Sequence, residues 1–142
     1  MTSFLKDSVA RAACDAIVDL VDGGTTNAQG RLILYSGSVP ADCDAAAGTV
    51  VATLLGRVPG SGGFFGAAAT SSNNAVATAA TITDDSNAVG GTTTYFRLVN
   101  RDSAAIMQGA CGTSGAELNF NSTVISAGAI VSVTSFTVTV PE

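Results

Sequence analysis

The chain has 142 residues, of which 46% are apolar and 12% are charged, and it contains no histidine. This length suits one domain, and the lack of histidine removes the commonest general base and a common metal ligand. The formal net charge is −5 and the six basic residues are scattered, so the sequence lacks the concentrated basic surface that nucleic acid binding requires.

The first predicted element is an amphipathic helix from Ser3 to about Asp22, in which apolar residues recur every three to four positions. Ser3 is the predicted N-cap, and Gly23–Gly24 is the predicted stop. We expect the apolar stripe to cover an open sheet face, so that Leu20→Asp destabilises the fold; the alternative is docking on another chain. The stripe consists of Phe4, Leu5, Val9, Ala13, Ala16, Ile17, Leu20 and Val21.

After residue 24 the hydrophobic pattern changes to a period of two, and turn residues separate the segments. About eight short strands after one helix predict a mainly β fold, an antiparallel β sandwich or jelly roll. The chain is then a single domain, with residues 1–24 packed as a helix on a body of residues 25–142. The predicted strands are Arg31–Ser36, Thr49–Leu55, Phe64–Ala69, Ala75–Thr83, Thr92–Val99, Ala104–Ala110, Glu117–Phe120 and Ile130–Val140.

The last predicted strand contains a change of side-chain parity. Val131 and Val133 fall on one face and Phe136 and Val138 on the other, so the pattern predicts a bulge at Thr134–Ser135. Neither charge nor proline interrupts this strand before its end. If it lies at a sheet edge, it is able to pair with a strand of a neighbouring chain.

Two adjacent aromatic residues, Phe64 and Phe65, follow a glycine-rich run. Neighbouring residues in a strand point to opposite faces, so one ring can fill the core while the other meets a partner. The alternative is that both rings are covered within the domain. With the last strand they form the candidate partner interface, which is Phe64, Phe65, Val131, Val133, Phe136 and Val138.

The three cysteines, Cys14, Cys43 and Cys111, are widely spaced and odd in number. They form neither a zinc motif nor a disulfide framework, so we expect free structural thiols and synthesis in a reducing cytoplasm, with no signal peptide. No apolar run is long enough to span a bilayer, so no membrane partner is expected.

Two acidic clusters, Asp42/Asp44 and Asp84/Asp85, offer oxygen ligands for Ca²⁺. Such residues are also common in turns, and the turn interpretation is preferred. We therefore predict no catalytic residue, no cofactor and no enzymatic activity.

Several stretches of the β body and its turns share a recognisable pattern. They are Leu32–Ala41 (LILYSGSVPA), Gly48–Leu54 (GTVVATL), Tyr95–Val99 (YFRLV), Gln108–Gly109, Gly112–Phe120 (GTSGAELNF), Ser126–Gly128 and Val131–Val138 (VSVTSFTV). These stretches resemble small virion structural proteins encoded by tailed bacteriophages. The resemblance implies a capsid cement or decoration protein that binds the outer capsid surface and joins neighbouring subunits. A tail or fibre accessory module, or a module that binds a sugar or cell-surface ligand, is the alternative.

The resemblance also implies the partners. These are the major capsid protein and further copies of the chain, with a dimer favoured over a trimer because two-fold symmetry is commonest in homo-oligomers. The expected location is the capsid surface of the virion, after synthesis in the host cytoplasm. Nucleic acid is not an expected partner.

Overall fold

The helix α1 (Asp7–Asp19) opens the described part of the computed structural model, which covers residues 4–142. A short 3₁₀ helix (Leu20–Asp22) continues it, and Gly23 follows as the predicted stop. Lys6 occupies the N-cap position, while the predicted N-cap, Ser3, lies outside the described residues. The fold is mainly β after this helix.

Ten strands occur within residues 4–142. The first two have the bounds that the alternating pattern predicts, whereas the predicted strands from 64 to 83 and from 130 to 140 are much shorter in the structure. The strands are β1 (Arg31–Ser36), β2 (Thr49–Leu55), β3 (Ala69–Thr70), β4 (Asn74–Thr78), β5 (Gly91–Thr92), β6 (Tyr95–Val99), β7 (Ala105–Gly112), β8 (Leu118–Asn119), β9 (Val124–Ile125) and β10 (Thr137–Pro141).

The strands form a curled mixed sheet system. Five strands pair in the order β2-β1-β6-β7-β8, three in the order β10-β4-β3, and β5 pairs with β9. All these pairs are antiparallel except β7 with β8, which run parallel, so the expectation of a purely antiparallel sheet is wrong at this one place.

A long antiparallel ribbon joins the two larger sheets at one end. It is formed by residues 74–92 and 124–141, which pair as β4 with β10, at Asp85 with Val131, and as β5 with β9. Its first segment also bonds to the outer edge of β2, where Leu55 and Thr83 exchange backbone hydrogen bonds of 3.3 and 2.8 Å. The ribbon therefore continues the five-stranded sheet and bends into the three-stranded one.

The parity change of the last predicted strand lies at this bend. The chain bends at Thr134 and β10 begins only at Thr137, so the irregularity is a break in the strand rather than a bulge. The break lets Val131 and Val133, before it, face the same core as Phe136 and Val138 after it.

The helix packs against β4 and β10, but not with the face that the sequence predicts. Its buried residues are Ala10, Cys14 and Val18, followed by Val21. The small side chains of Ala10 and Cys14 lie opposite the buried alanines of β4, Ala75 and Ala77. The predicted stripe is therefore exposed apart from Val21 and the half-buried Ala13, and Leu20 is 57% exposed.

A second apolar cluster covers the other face of the five-stranded sheet, where Tyr35 and Tyr95 stack with ring centroids 5.1 Å apart. Residues 37–48 are fastened beside it by hydrogen bonds. Arg97, only 5% exposed, donates from Nη2 to the carbonyl oxygens of Asp42 and Ala45 at 3.2 and 2.8 Å. This loop therefore depends on a buried guanidinium group.

Candidate functional site

The six residues predicted as a partner interface all lie in the core of the domain, with exposures of 0 to 8%. Phe64 and Phe65 stack on each other, and Phe65 and Phe96 each contact the ring of Phe136. The two phenylalanine rings do not alternate between faces because Phe64 and Phe65 lie outside a regular strand. As placed, these side chains stabilise the domain, and two of them, Phe136 and Val138, also line a groove at its surface.

One carboxylate of each acidic cluster, that of Asp42 and that of Asp85, accepts backbone hydrogen bonds. Asp42 Oδ1 accepts from the N–H groups of Asp44 and Ala45, at 3.0 and 2.8 Å. Asp85 accepts from Thr53 and Asn87, and thereby holds the ribbon against β2. Among residues 4–142, no three His, Cys, Asp or Glu side chains are grouped to hold a metal ion.

The three cysteines are free thiols. Burial raises the pKa of Cys14, whose Sγ lies 3.6 Å from the carbonyl oxygen of Val138. Burial also raises the pKa of Cys111 to about 11. Since the thiolate is the nucleophile, both groups are poorly reactive at neutral pH.

Alkylation of the native protein with iodoacetamide at pH 7.5 should therefore modify Cys43 first, since it is partly exposed on the loop of residues 37–48. Cys14 and Cys111 should react only slowly, because their thiols stay protonated below their raised pKa values. Mass spectrometry of peptides over time checks this order. Equal labelling of all three in native protein, at the rate seen in urea, would contradict it.

A groove separates β7 from β10 and is the main candidate for binding a partner. It has a volume of about 230 Å³, and we call it the seam. Within the described part of the chain, β10 pairs only with β4, and β7 pairs on its outer side only at Cys111 and Gly112. Two strand edges thus border one groove. Its lining residues are Phe96, Met107, Gln108, Glu117, Phe136, Thr137, Val138 and Thr139.

The backbone polarity of these two edges follows from the hydrogen bonds of their inner sides. Ala79 donates to the carbonyl of Phe136, so the backbone groups of Phe136 point toward the β4 chain. Along an antiparallel strand, every second residue points its N–H and C=O groups toward the paired strand, so Thr137 and Thr139 direct theirs away from β4. Cys111 donates to the carbonyl of Thr94 in the same way, so Gln108 directs its backbone groups away from β6. Unpaired donors and acceptors of this kind accept an added strand.

Glu117 occupies one position on the β7 edge. Its Oε2 accepts the outward N–H of Ala110 at 2.8 Å. Hydrogen bonds from its own backbone N–H and from Ala110 lower the pKa of this carboxyl group. The carboxylate therefore takes the place that the carbonyl of a neighbouring strand would have at Ala110. The next outward-facing position of the β7 edge, Gln108, is left open.

The second exposed surface is an apolar face of α1, which we call the outer helix face. Val9 is 50%, Ile17 37% and Leu20 57% exposed, and the small side chains between them lie on the same side. Large apolar residues clustered in solvent mark an interaction surface more reliably than single ones do. The outer helix face comprises Val9, Ala12, Ala13, Ala16, Ile17 and Leu20, and Phe4 and Leu5 precede it.

A third surface is a larger open groove of about 580 Å³ beside the ribbon, lined by residues between Asn119 and Thr134. Two of its polar side chains are already engaged. Asn119 bonds to the backbone of Ala116 through both Oδ1 and Nδ2, and the Ser122 hydroxyl bonds to the backbone of Val124. These groups are therefore not free to orient a sugar.

Comparison with protein families, curated proteins and solved structures finds no match to this chain. No helix within residues 4–142 has the length and hydrophobicity needed to cross a membrane.

Proposed function

We propose that this chain is a non-enzymatic structural protein of a tailed-phage virion, which binds the outer capsid surface and cements neighbouring capsid subunits. The seam carries this proposal. Two strand edges with unpaired backbone groups border a groove that also contains the rings of Phe96 and Phe136, which suits the binding of an extended polypeptide rather than a reaction.

The chemistry of the side chains supports a non-catalytic role. The sequence has no histidine, and the carboxylates of Asp42 and Asp85 accept backbone hydrogen bonds. Burial raises the pKa of two of the three thiols, Cys14 and Cys111. A nucleophile needs a base within hydrogen-bond reach, and these groups do not supply such a pair.

In the proposed complex, an extended segment of the capsid protein enters the seam. Its backbone bonds to Thr137 and Thr139 on one side and to Gln108 on the other, and its apolar side chains contact Phe96 and Phe136. The added strand joins the edge of β10 to the edge of β7. Because the protein binds the assembled shell and not the free capsid subunits, its binding stabilises the assembled capsid.

The test compares two substitutions of one seam residue. Thr139→Pro removes an outward N–H that the domain itself does not use, whereas Thr139→Val keeps that N–H and the shape of the side chain. We expect wild type and Thr139→Val to co-sediment with capsids that lack this protein, and Thr139→Pro to bind at least about tenfold more weakly, the effect of losing roughly one hydrogen bond. Thermal melts check that both variants are folded.

Salt separates this contact from an electrostatic one. Backbone and apolar contacts are weakly screened, so binding should persist at 1 M salt, where surface charges act over only about 3 Å. Equal binding of the proline variant, or a steep loss with salt, would reject the seam as the attachment site. Absence of binding at both salt concentrations would favour the tail or fibre alternative. Counting the copies of the 14.0 kDa chain in each virion also tests that alternative.

A further inference from the structure

We propose that Arg31, Tyr35 and Arg97 form a site that binds one carboxylate group. The three residues lie on the face of the five-stranded sheet that carries the second apolar cluster, beside the loop of residues 37–48. None of them lines the seam, so the inference goes beyond the proposed function.

The register of β1 and β6 brings the three residues together. Arg31, Ile33 and Tyr35 occupy every second position of β1, so their side chains share one face of the sheet. On β6, Arg97 pairs with Ile33. Arg97 is therefore the diagonal neighbour of both Arg31 and Tyr35. Cα atoms of such neighbours lie about 7 to 8 Å apart, within the reach of long side chains.

Arg97 is a buried cation whose partners are all neutral. Its exposure is 5%, and its acceptors are one side-chain amide and two backbone carbonyls. Removing a cation from water is costly, and an opposite charge offsets that cost best. The three hydrogen bonds use Nε and Nη2. Within residues 4–142, Nη1 has no acceptor and retains contact with solvent.

Arg31 also lacks a full set of acceptors. Its Nη2 donates to the Ser103 hydroxyl at 2.6 Å, whereas its Nε is buried and has no acceptor in the described part of the chain. Buried donors without partners are rare in folded proteins, because each one loses its hydrogen bonds to water. An anion beside this half-buried guanidinium group would supply the missing acceptors.

The phenol of Tyr35 lies within the electric field of both guanidinium groups. Burial raises the pKa of Tyr35, and the positive charges of Arg97 and Arg31 act in the opposite direction. The neighbouring hydroxyl of Tyr95 accepts the N–H of Gly48 at 2.6 Å, whereas the Tyr35 hydroxyl makes no hydrogen bond within residues 4–142. Tyr35 therefore offers an O–H donor beside two positive charges.

Two guanidinium groups and one hydroxyl suit a carboxylate. The planar fork of arginine matches a carboxylate, whose two oxygens accept about four hydrogen bonds. A phosphate group carries up to two negative charges and a third oxygen. The second charge is disfavoured here, because Asp42 and Asp44 lie on the adjacent loop and the chain has a net charge of −5.

Nuclear magnetic resonance of the arginine side chains tests the site in the folded chain. Titration with sodium acetate at about pH 6 should shift the Nε–H signals of Arg31 and Arg97 along a saturating curve. Half-saturation is expected at about 10 mM or below, as for two or three charge-assisted hydrogen bonds. The other three arginine signals should not follow this curve, and sodium chloride at equal ionic strength should not produce it.

Three variants assign the effect to the site. Tyr35→Phe removes only the hydroxyl and should weaken acetate binding about fivefold, the effect of one hydrogen bond. Arg31→Gln should abolish the saturating shift at Arg97. Arg57→Gln is the matched control, because it removes an exposed arginine outside the site, and it should bind acetate as wild type does. Thermal melts without acetate check that all three variants are folded.

Capsid co-sedimentation separates two sources of the carboxylate, a free small acid and a side chain of the capsid protein. Arg31→Gln should bind capsids as wild type does in the first case and more weakly in the second. Absence of capsid binding by wild type would contradict the proposed function alone, because the acetate titration does not involve capsids.

Three results would overturn the inference: equal shifts of all the arginine signals, a chloride effect equal to that of acetate, and unchanged acetate binding by Arg31→Gln. Inorganic phosphate that binds more tightly than acetate would overturn the assignment to a carboxylate.

Discussion

Replacing Val18 by aspartate should leave the protein largely unfolded at room temperature, whereas replacing Leu20 by aspartate should leave its folding nearly unchanged. Val18 is 2% exposed and lies on the face of α1 that packs on β4 and β10, while Leu20 is 57% exposed. An unpaired carboxylate in an apolar site costs several kcal/mol, a large part of the 5–15 kcal/mol that typically stabilises a domain.

Far-UV circular dichroism and urea unfolding measure both variants, and Val18→Ala serves as a milder control that keeps the site apolar. Melts at two protein concentrations separate folding from self-association, since Leu20 belongs to the outer helix face. If Val18→Asp unfolds cooperatively in urea at the same midpoint as wild type, α1 does not pack on the sheet as described.

Replacing Arg97 by alanine should destabilise the protein by about 3 kcal/mol and release residues 37–48. The guanidinium donates to the carbonyl groups of Asp42 and Ala45 and to Gln108 Oε1, and hydrogen bonds from charged donors contribute about 1.5–3 kcal/mol each. Its removal leaves these acceptors without partners, and water can replace it only if the loop moves.

Digestion with a protease that cuts beside aspartate measures the release of the loop, because Asp42 and Asp44 lie within it. The matched control is Arg57→Ala. Arg57 also donates to loop carbonyls, at Gly62 and Gly63, but it is exposed, so its loss should cost under about 1 kcal/mol. Equal digestion of Arg97→Ala and wild type would show that the loop is held without Arg97.

Features that depend on residues close together in the chain can be predicted from the sequence. The change from a helical to a two-residue period placed one helix before a mainly β body. Alternation within short segments defined β1 and β2 to the residue. The parity change at Thr134–Ser135 located an irregularity in the last predicted strand, because a period of two allows only one face to point inward, but the predicted bulge is a break in the structure.

Which apolar surfaces are buried and which stay exposed depends on the tertiary structure. Both sides of α1 carry apolar residues, and the alanine-rich surface of β4 selected the side with small ones, which left Val9, Ile17 and Leu20 outside. Phe64 and Phe65 entered the core because the chain there is not a regular strand. The seam between β7 and β10 exists because strands distant in sequence end at facing edges, and such long-range pairing leaves no mark in the local hydrophobic period.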